Sequence, residues 1–315
     1  MASSTVAPAS TDARTERYRH AERALWGHYG LEPRERFVEL DSPPTRLRLL
    51  EVGSGEPILF VHGTVGPGSW APLVRELGDF RCLVLERPGW GLSSPVDFSE
   101  RDYGVLVADV LGGALTALGI ERTSVVGGSI GNVWALRLAG RDSARVRRVV
   151  LMGGSPLVAE VGVPGIIRLL ASPLGSVLVR LPDKAERIRA ILRQSGHGAS
   201  LDAGRIPDAF VDWRVALGRE TDSMRNEREM VRTAVVRGRA YRPGVSFDEG
   251  ELAAVAALTL LVYGTADPVG TVDVWRRTTS LLPRGELRLF EGFGHQPWLD
   301  DPARVAAEVG RFLAA

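Results

Sequence analysis

VVGGSIGNVWALR, residues 125–137, opens with two β-branched residues, places glycines at 127, 128 and 131 around Ser129, and then turns helical. Glycine weakens a strand interior and costs about 1 kcal/mol against alanine inside a helix. Three of them at one strand–helix junction mark a backbone that comes too close to its surroundings for side chains. The junction reads Gly127-x-Ser129-x-Gly131. A serine held on so sharp a turn presses the residues two places either side of it against the backbone, so only small ones fit. The serine itself carries backbone strain. Its hydroxyl gains a place at the sheet edge and at a helix N-terminus, with N–H groups aimed where negative charge would develop.

A serine hydroxyl is a weak nucleophile until a base takes its proton and an acid holds the base. The C-terminal part of the chain supplies both. LTLLVYGTADPV (258–269) ends an apolar strand and delivers Asp267 just past it, and LRLFEGFGHQPW (287–298) ends another and delivers His295 in a glycine-lined loop. Two substitutes for the acid are weaker. Glu291 is too near His295 in sequence to reach around the imidazole, and the other strand end, in MGGSP, is unavailable because it carries Ser155 and no acid.

Ser129, Asp267 and His295, in that chain order and each past a strand's carboxyl end, resemble the triad of the α/β-hydrolase superfamily. The resemblance runs from about residue 34 to 315, apart from a helical insertion that matches only in position and character. It implies catalytic roles for Ser129, His295 and Asp267. FVHGTVGPGSW (60–70) resembles the superfamily's oxyanion loop, which implies that the backbone N–H of Thr64, or alternatively Val65, pairs with that of Ile130. His62 is then a structural residue bonded within the loop. LERPGWGLSS (85–94) resembles the loop after the next strand, with Glu86 where many relatives have aspartate. Val65, Trp90 and Trp298 are the residues expected at a substrate pocket.

The rest of the chain fits this frame. Strand-like and helical runs alternate from RFVEL (36–40) to the final helix beginning at Pro302, which implies a mostly parallel sheet flanked by helices. The expected division is a disordered tail over 1–15, an α/β-hydrolase core from 16–157 and 246–315, and an inserted all-helical cap over 158–245. The cap segment shows no strand pattern and holds about fifteen Arg and Lys against about ten acids. Its position in an open α/β sheet suits a lid at the carboxyl edge, where ligands bind.

With 44% hydrophobic and 24% charged residues the chain has the composition of a globular protein. A net charge of +1 argues against a nucleic-acid partner. Cys82 is alone, so no internal disulfide is possible, and FRCLVLE reads as a buried strand. His20, His28 and His197 carry no metal-ligand spacing. Neither metal nor cofactor is expected. The start lacks a signal-peptide pattern and no apolar run reaches the length of a membrane helix. A cytoplasmic protein with a small-molecule substrate and no membrane partner is expected.

Because dehalogenase-like and epoxide-hydrolase-like members place aspartate at the nucleophile position, Ser129 implies an acyl-enzyme. The first expectation is a serine hydrolase acting on a carboxylic ester, or a thioester, lactone or amide, of a small and largely apolar compound. The apolar stretch VPGIIRLLASPLGSVLVRLP (163–182) would roof its pocket or pack the cap onto the sheet. A carbon–carbon bond hydrolase or perhydrolase-like activity on the same triad is the alternative. Ring-fission hydrolases of that kind usually carry tryptophan directly after the catalytic histidine, and this chain has Gln296 there. A non-catalytic small-molecule receptor, a lyase and a cofactor-independent oxygenase are further readings of the same scaffold.

Overall fold

The computed structural model describes residues 13–99, 101–236 and 240–315. Of the expected N-terminal tail, residues 1–12 lie outside that description, while residues 13–15 already belong to helix α1 (Ala13–His28). The chain continues through β1 (Arg34–Asp41), β2 (Pro44–Val52), β3 (Glu56–Val61), α2 (Ala71–Glu76), β4 (Phe80–Leu85), α3 (Tyr103–Ala117), β5 (Thr123–Gly128), α4 (Ile130–Arg141) and β6 (Val146–Met152).

Among the described residues, the inserted segment then holds α5 (Gly165–Ala171), α6 (Gly175–Leu178), α7 (Ala185–Leu192), α8 (Gly198–Asp202), α9 (Asp208–Glu220) and α10 (Ser223–Ala234). The segment is not all-helical. β7 (Val235–Val236) pairs antiparallel with β8 (Ala240–Tyr241), an interaction too short to leave a period-two pattern in the sequence. The chain then runs through α11 (Glu249–Ala253), β9 (Leu258–Gly264), α12 (Val272–Leu281), β10 (Gly285–Phe290), α13 (Pro297–Asp300) and α14 (Pro302–Ala314).

Eight strands form one sheet in the order β1-β2-β4-β3-β5-β6-β9-β10. The β1–β2 and β2–β4 pairs are antiparallel, and every pair from β4 to β10 is parallel. Both faces of the central parallel strands are covered, which is why runs such as 58–61 and 260–263 are unbroken and apolar, whereas the edge strand β10 carries Glu286 and Arg288. Successive residues divide between two cores by the two-residue period of a strand. Leu59, Val125, Leu151 and Leu261 enter the core under α3, α4 and α12. Phe60, Val126, Val150 and Val262 enter the other, with α1, α2, α9 and α14.

Helix α1 joins the core and the inserted helices. It packs against α9, and Trp26 and Leu25 are enclosed in the second core. A buried ion network ties it down: Arg48 on β2 pairs with Glu22 of α1, with Glu86 at 2.6 Å and with Glu35 at 2.6 Å. The Tyr18 hydroxyl donates to Glu22 and to Glu86. Burial and the adjoining carboxylates hold the Tyr18 hydroxyl far above its usual range.

Candidate active site

Ser129 follows β5 directly and caps α4, at φ 53° and ψ −123°. It is the one non-glycine residue with positive φ among the described residues. Such a conformation costs about 1–3 kcal/mol and persists only where the surroundings fix it. Here the surroundings are backbone. A Cβ on Gly127 would come within 2.7 Å of Asn132 N, and one on Gly131 would run into the Val61 carbonyl. The Ser129 N–H donates to Met152 O at 3.0 Å and its carbonyl accepts from Asn132 N at 2.9 Å. Strand β6 on one side and the first turn of α4 on the other therefore hold the strained residue.

Asp267 stands past β9, three residues beyond its end, and His295 past β10. Because these strands are adjacent, the loops meet. His295 Nδ1 lies 2.9 Å from both Asp267 carboxylate oxygens. The carboxylate also accepts the Gly154 N–H at 2.6 Å and the Val269 N–H at 2.8 Å. Donors on each oxygen fix its plane, and with it the imidazole. Gly153 explains the closeness: a Cβ there would collide with the His295 carbonyl.

Gly154 follows β6, at the strand end that carries Ser155 and no acid, and its N–H supplies a donor to Asp267. Ser155 beside it is buried and accepts from Asn132 Nδ2 at 3.1 Å. Asn132 also donates to the carbonyls of Met152 and Gly153 and accepts from Met152 N. A buried asparagine on a helix, four polar contacts deep, was not singled out from sequence, because a polar residue on α4 carries no mark of which face it occupies.

The turn after β3 closes the site on its other side. A Cβ on Gly63 would stand 2.7 Å from Ser129 Cβ and 2.9 Å from Gly128 O, so the His-Gly turn is laid directly on the serine. Thr64 and Val65 follow, both half-buried. Ile130 is the first residue of α4, where a backbone N–H has no helical partner. His62 is fully buried; its Nδ1 bonds Gly63 O at 2.7 Å and its Nε2 accepts the Arg87 N–H at 3.1 Å. Burial, together with the Arg87 guanidinium, pushes its pKa well below the usual range.

Trp90 and Trp298, expected at a pocket, are both buried. Trp90 is enclosed, edge-on to His62, with its indole N–H donating to Glu227 of α10 at 2.8 Å. Arg87 bonds the same carboxylate at 3.0 Å, so this loop is a joint between core and inserted helices. Trp298 stacks on Trp70 at 4.2 Å and donates to Ser69 O at 2.7 Å. The Trp70 and Trp298 rings lie against Gly128, where a Cβ would approach them within 3.1 Å. A buried indole needs an acceptor, and both found one in the interior.

His197, which has no metal-ligand spacing in the sequence, is buried against the His295 loop, with Nδ1 on Asp300 and Nε2 accepting the Gln296 N–H. Only the tertiary fold brings residues so far apart together. No group of three or more His, Cys, Asp or Glu able to hold a metal ion occurs among the described residues. Cys82 is buried, which pushes its thiol up to about 12 and leaves it unreactive. No helix among the described residues is long and apolar enough to cross a membrane.

Residues 58–308 match the family model of the α/β hydrolase family. The chain is 29% identical over 273 residues to the 2-hydroxy-6-oxononadienedioate/2-hydroxy-6-oxononatrienedioate hydrolase of Cupriavidus pinatubonensis, covering 82% of this chain and 88% of that protein. It is 30% identical over 292 residues to an uncharacterized protein of Mycobacterium tuberculosis, covering 83% and 76%. In fold it is similar to the 2-hydroxy-6-oxo-6-phenylhexa-2,4-dienoate hydrolase of a Rhodococcus species, with a TM-score of 0.74 at 19% identity, covering 90% of this chain and 100% of that one.

Proposed function

The chain belongs to the α/β hydrolase family, and from that premise we propose that it is a serine-triad hydrolase cleaving a carbon–carbon bond beside a ketone. The compounds would be open-chain dienoates of the class its relatives are named for. The hydrolytic reading is carried by one observation: His295, held by Asp267 at 2.9 Å, lies against Gly153, the residue after the Met152 carbonyl that accepts the N–H of the strained Ser129. The choice of bond draws on the relatives' names, and it replaces the carboxylic ester as the first reading.

In this proposal Ser129 Oγ attacks the ketone carbon while His295 takes its proton and Asp267 steadies the imidazolium. The N–H groups of Thr64 and Ile130 receive the oxyanion. Collapse of the tetrahedral adduct breaks the carbon–carbon bond. The electron pair leaves on carbon, which is feasible only after the 2-hydroxydienoate tautomerises to its 2-oxo form, moving the enol proton onto the carbon beside the ketone. The leaving pair then delocalises onto the 2-oxo oxygen, which takes the proton from His295 and restores the 2-hydroxydiene. Water, deprotonated by His295, then frees the acid from Ser129. One water is consumed, giving a carboxylic acid and a hydroxydienoate.

Ester cleavage remains as a second reading on a specific observation. Gln296 occupies the place directly after His295 where ring-fission hydrolases usually carry tryptophan, and it is buried with its backbone N–H donating to His197 Nε2. The test compares turnover of 2-hydroxy-6-oxo-6-phenylhexa-2,4-dienoate, followed by loss of its absorbance, with p-nitrophenyl butyrate, for wild type and Ser129→Ala. The carbon–carbon reading expects the larger kcat/KM on the dienoate and loss of both activities in the variant. Ester turnover with an untouched dienoate would make the ester reading the correct one.

A further inference from the structure

The turn Ser195–Gly196–His197 sits on both loops that carry the base and its acid. Ser195 O accepts the backbone N–H of His295 at 2.8 Å. Gly196, at φ 90°, lies against the residues that precede Asp267 and His295. A Cβ on it would stand 2.5 Å from Ala266 O and 2.8 Å from Gly294 Cα. Gly294 matches it from the other side, since a Cβ there would stand 2.5 Å from Ser195 O and 2.7 Å from His197 Cε1. Two glycines in mutual contact bring the two backbones closer than side chains would allow.

His197 fastens the turn. It is fully buried, with Nδ1 3.0 Å from both oxygens of Asp300. Its Nε2 accepts the backbone N–H of Gln296 at 3.1 Å. Asp300, itself buried, also accepts the Gly294 N–H at 2.8 Å and the Ser200 hydroxyl. One carboxylate thus gathers His197 and Ser200 from the inserted helices and Gly294 from the loop of the catalytic base. A buried carboxylate stripped of one donor carries a desolvation penalty, so the arrangement favours the seated turn.

We propose that His197, acting through Asp300, is a positioning residue for His295: it locks the 195–197 turn onto the triad loops, so that the productive triad forms with the cap seated. This rests on the triad reading above. Neither His197 nor Asp300 touches the reacting atoms. Their effect passes through the backbone N–H groups of Gly294 and His295, and displacement of a catalytic group by about 1 Å can cost 100-fold in rate.

The experiment measures the rate of fluorophosphonate labelling, kcat and KM for wild type, His197→Ala, His197→Asn and Asp300→Asn, with melting curves for each. No adduct on folded wild type would remove the triad reading itself and is seen before any variant is compared. With wild type labelled, the expected result is a folded His197→Ala whose labelling rate and kcat fall about 100-fold with KM little changed. Added imidazole, filling the cavity with the same donors, should restore much of that rate, and His197→Asn, whose amide still donates to Asp300, should keep most of it. A folded His197→Ala that labels at the wild-type rate overturns the proposal. So does a loss that tracks melting temperature and does not respond to imidazole. If His197→Ala does not fold, His197→Asn and Asp300→Asn decide on the same rates: full activity in folded Asp300→Asn overturns the proposal.

Discussion

Gly63 lies so close to Ser129 that a methyl group in its place would stand 2.7 Å from the serine Cβ. The turn carrying Thr64 is therefore seated on the serine with no slack. Gly63→Ala is expected to move the turn by a few tenths of an ångström or more, and to lower kcat about 100-fold through the displaced oxyanion donor. Steady-state kinetics on a variant with an unchanged circular-dichroism spectrum checks this. An unaltered kcat would show that the 64–65 turn takes no part in the reaction.

Ser129 holds φ 53° and ψ −123°, a conformation that suits glycine. Ser129→Ala should abolish turnover, by about 10⁴-fold or more, while leaving the melting temperature near wild type, since alanine bears the same strain. Ser129→Gly should be equally inactive yet more stable by about 1 kcal/mol or more. Urea titration of the three proteins measures it. Equal stability of the glycine and alanine variants would mean the elbow stores no strain.

Asp267 accepts two backbone N–H groups and the His295 ring. An amide in its place must turn its NH2 towards one of those donors or towards Nδ1. Asp267→Asn should lower kcat about 10⁴-fold by favouring the wrong imidazole tautomer. It should also lose some stability from the mismatched N–H. Single-turnover kinetics checks the first effect. A loss confined to KM would contradict the orienting role.

Glu86 gives a stability prediction with a sign. Burial raises its carboxyl from 4.5 to about 7; Arg48 opposes the shift and Glu22 adds to it. Glu22, Glu35 and Glu86 all converge on Arg48, so one cation faces several carboxylates. An acid that keeps its proton better when folded stabilises fully below its unfolded value. That contribution fades as pH rises from 4.5 through about 7. The melting temperature should fall across this window, and Glu86→Gln, permanently neutral, should flatten the slope. Parallel slopes for the two proteins between pH 5 and 8 would place the proton elsewhere.

The primary sequence was sufficient for the elements whose signal is local. Gly127, Gly128 and Gly131 mark a backbone crossing within a few residues of Ser129, and unbroken apolar runs mark strands covered on both faces. Chain order after such strands is enough to expect Asp267 and His295 to meet, as they do, because parallel strands put their following loops at one edge. Those inferences need only periodicity and connectivity. The bond to be cleaved is not legible in this way: Ser129 and an apolar insertion suit an ester, but neither specifies the leaving group.

What the tertiary structure decided is everything that depends on which distant surfaces meet. Trp90 and Trp298 are aromatic residues near the motifs, and sequence alone offered them a pocket; packing gave their indole N–H groups acceptors on Glu227 and Ser69 in the interior. Trp26 reads as an apolar residue on a helix, and only the fold packs that helix against α9 and encloses Trp26 in the second core. His197 and Asp300 lie 103 residues apart, with no local pattern to join them. A hydrogen bond between them exists because the inserted helices fold back over the sheet's carboxyl edge. Local sequence sets backbone conformation through sterics, whereas long-range polar partners are fixed only when burial brings them together and makes an unpaired group costly.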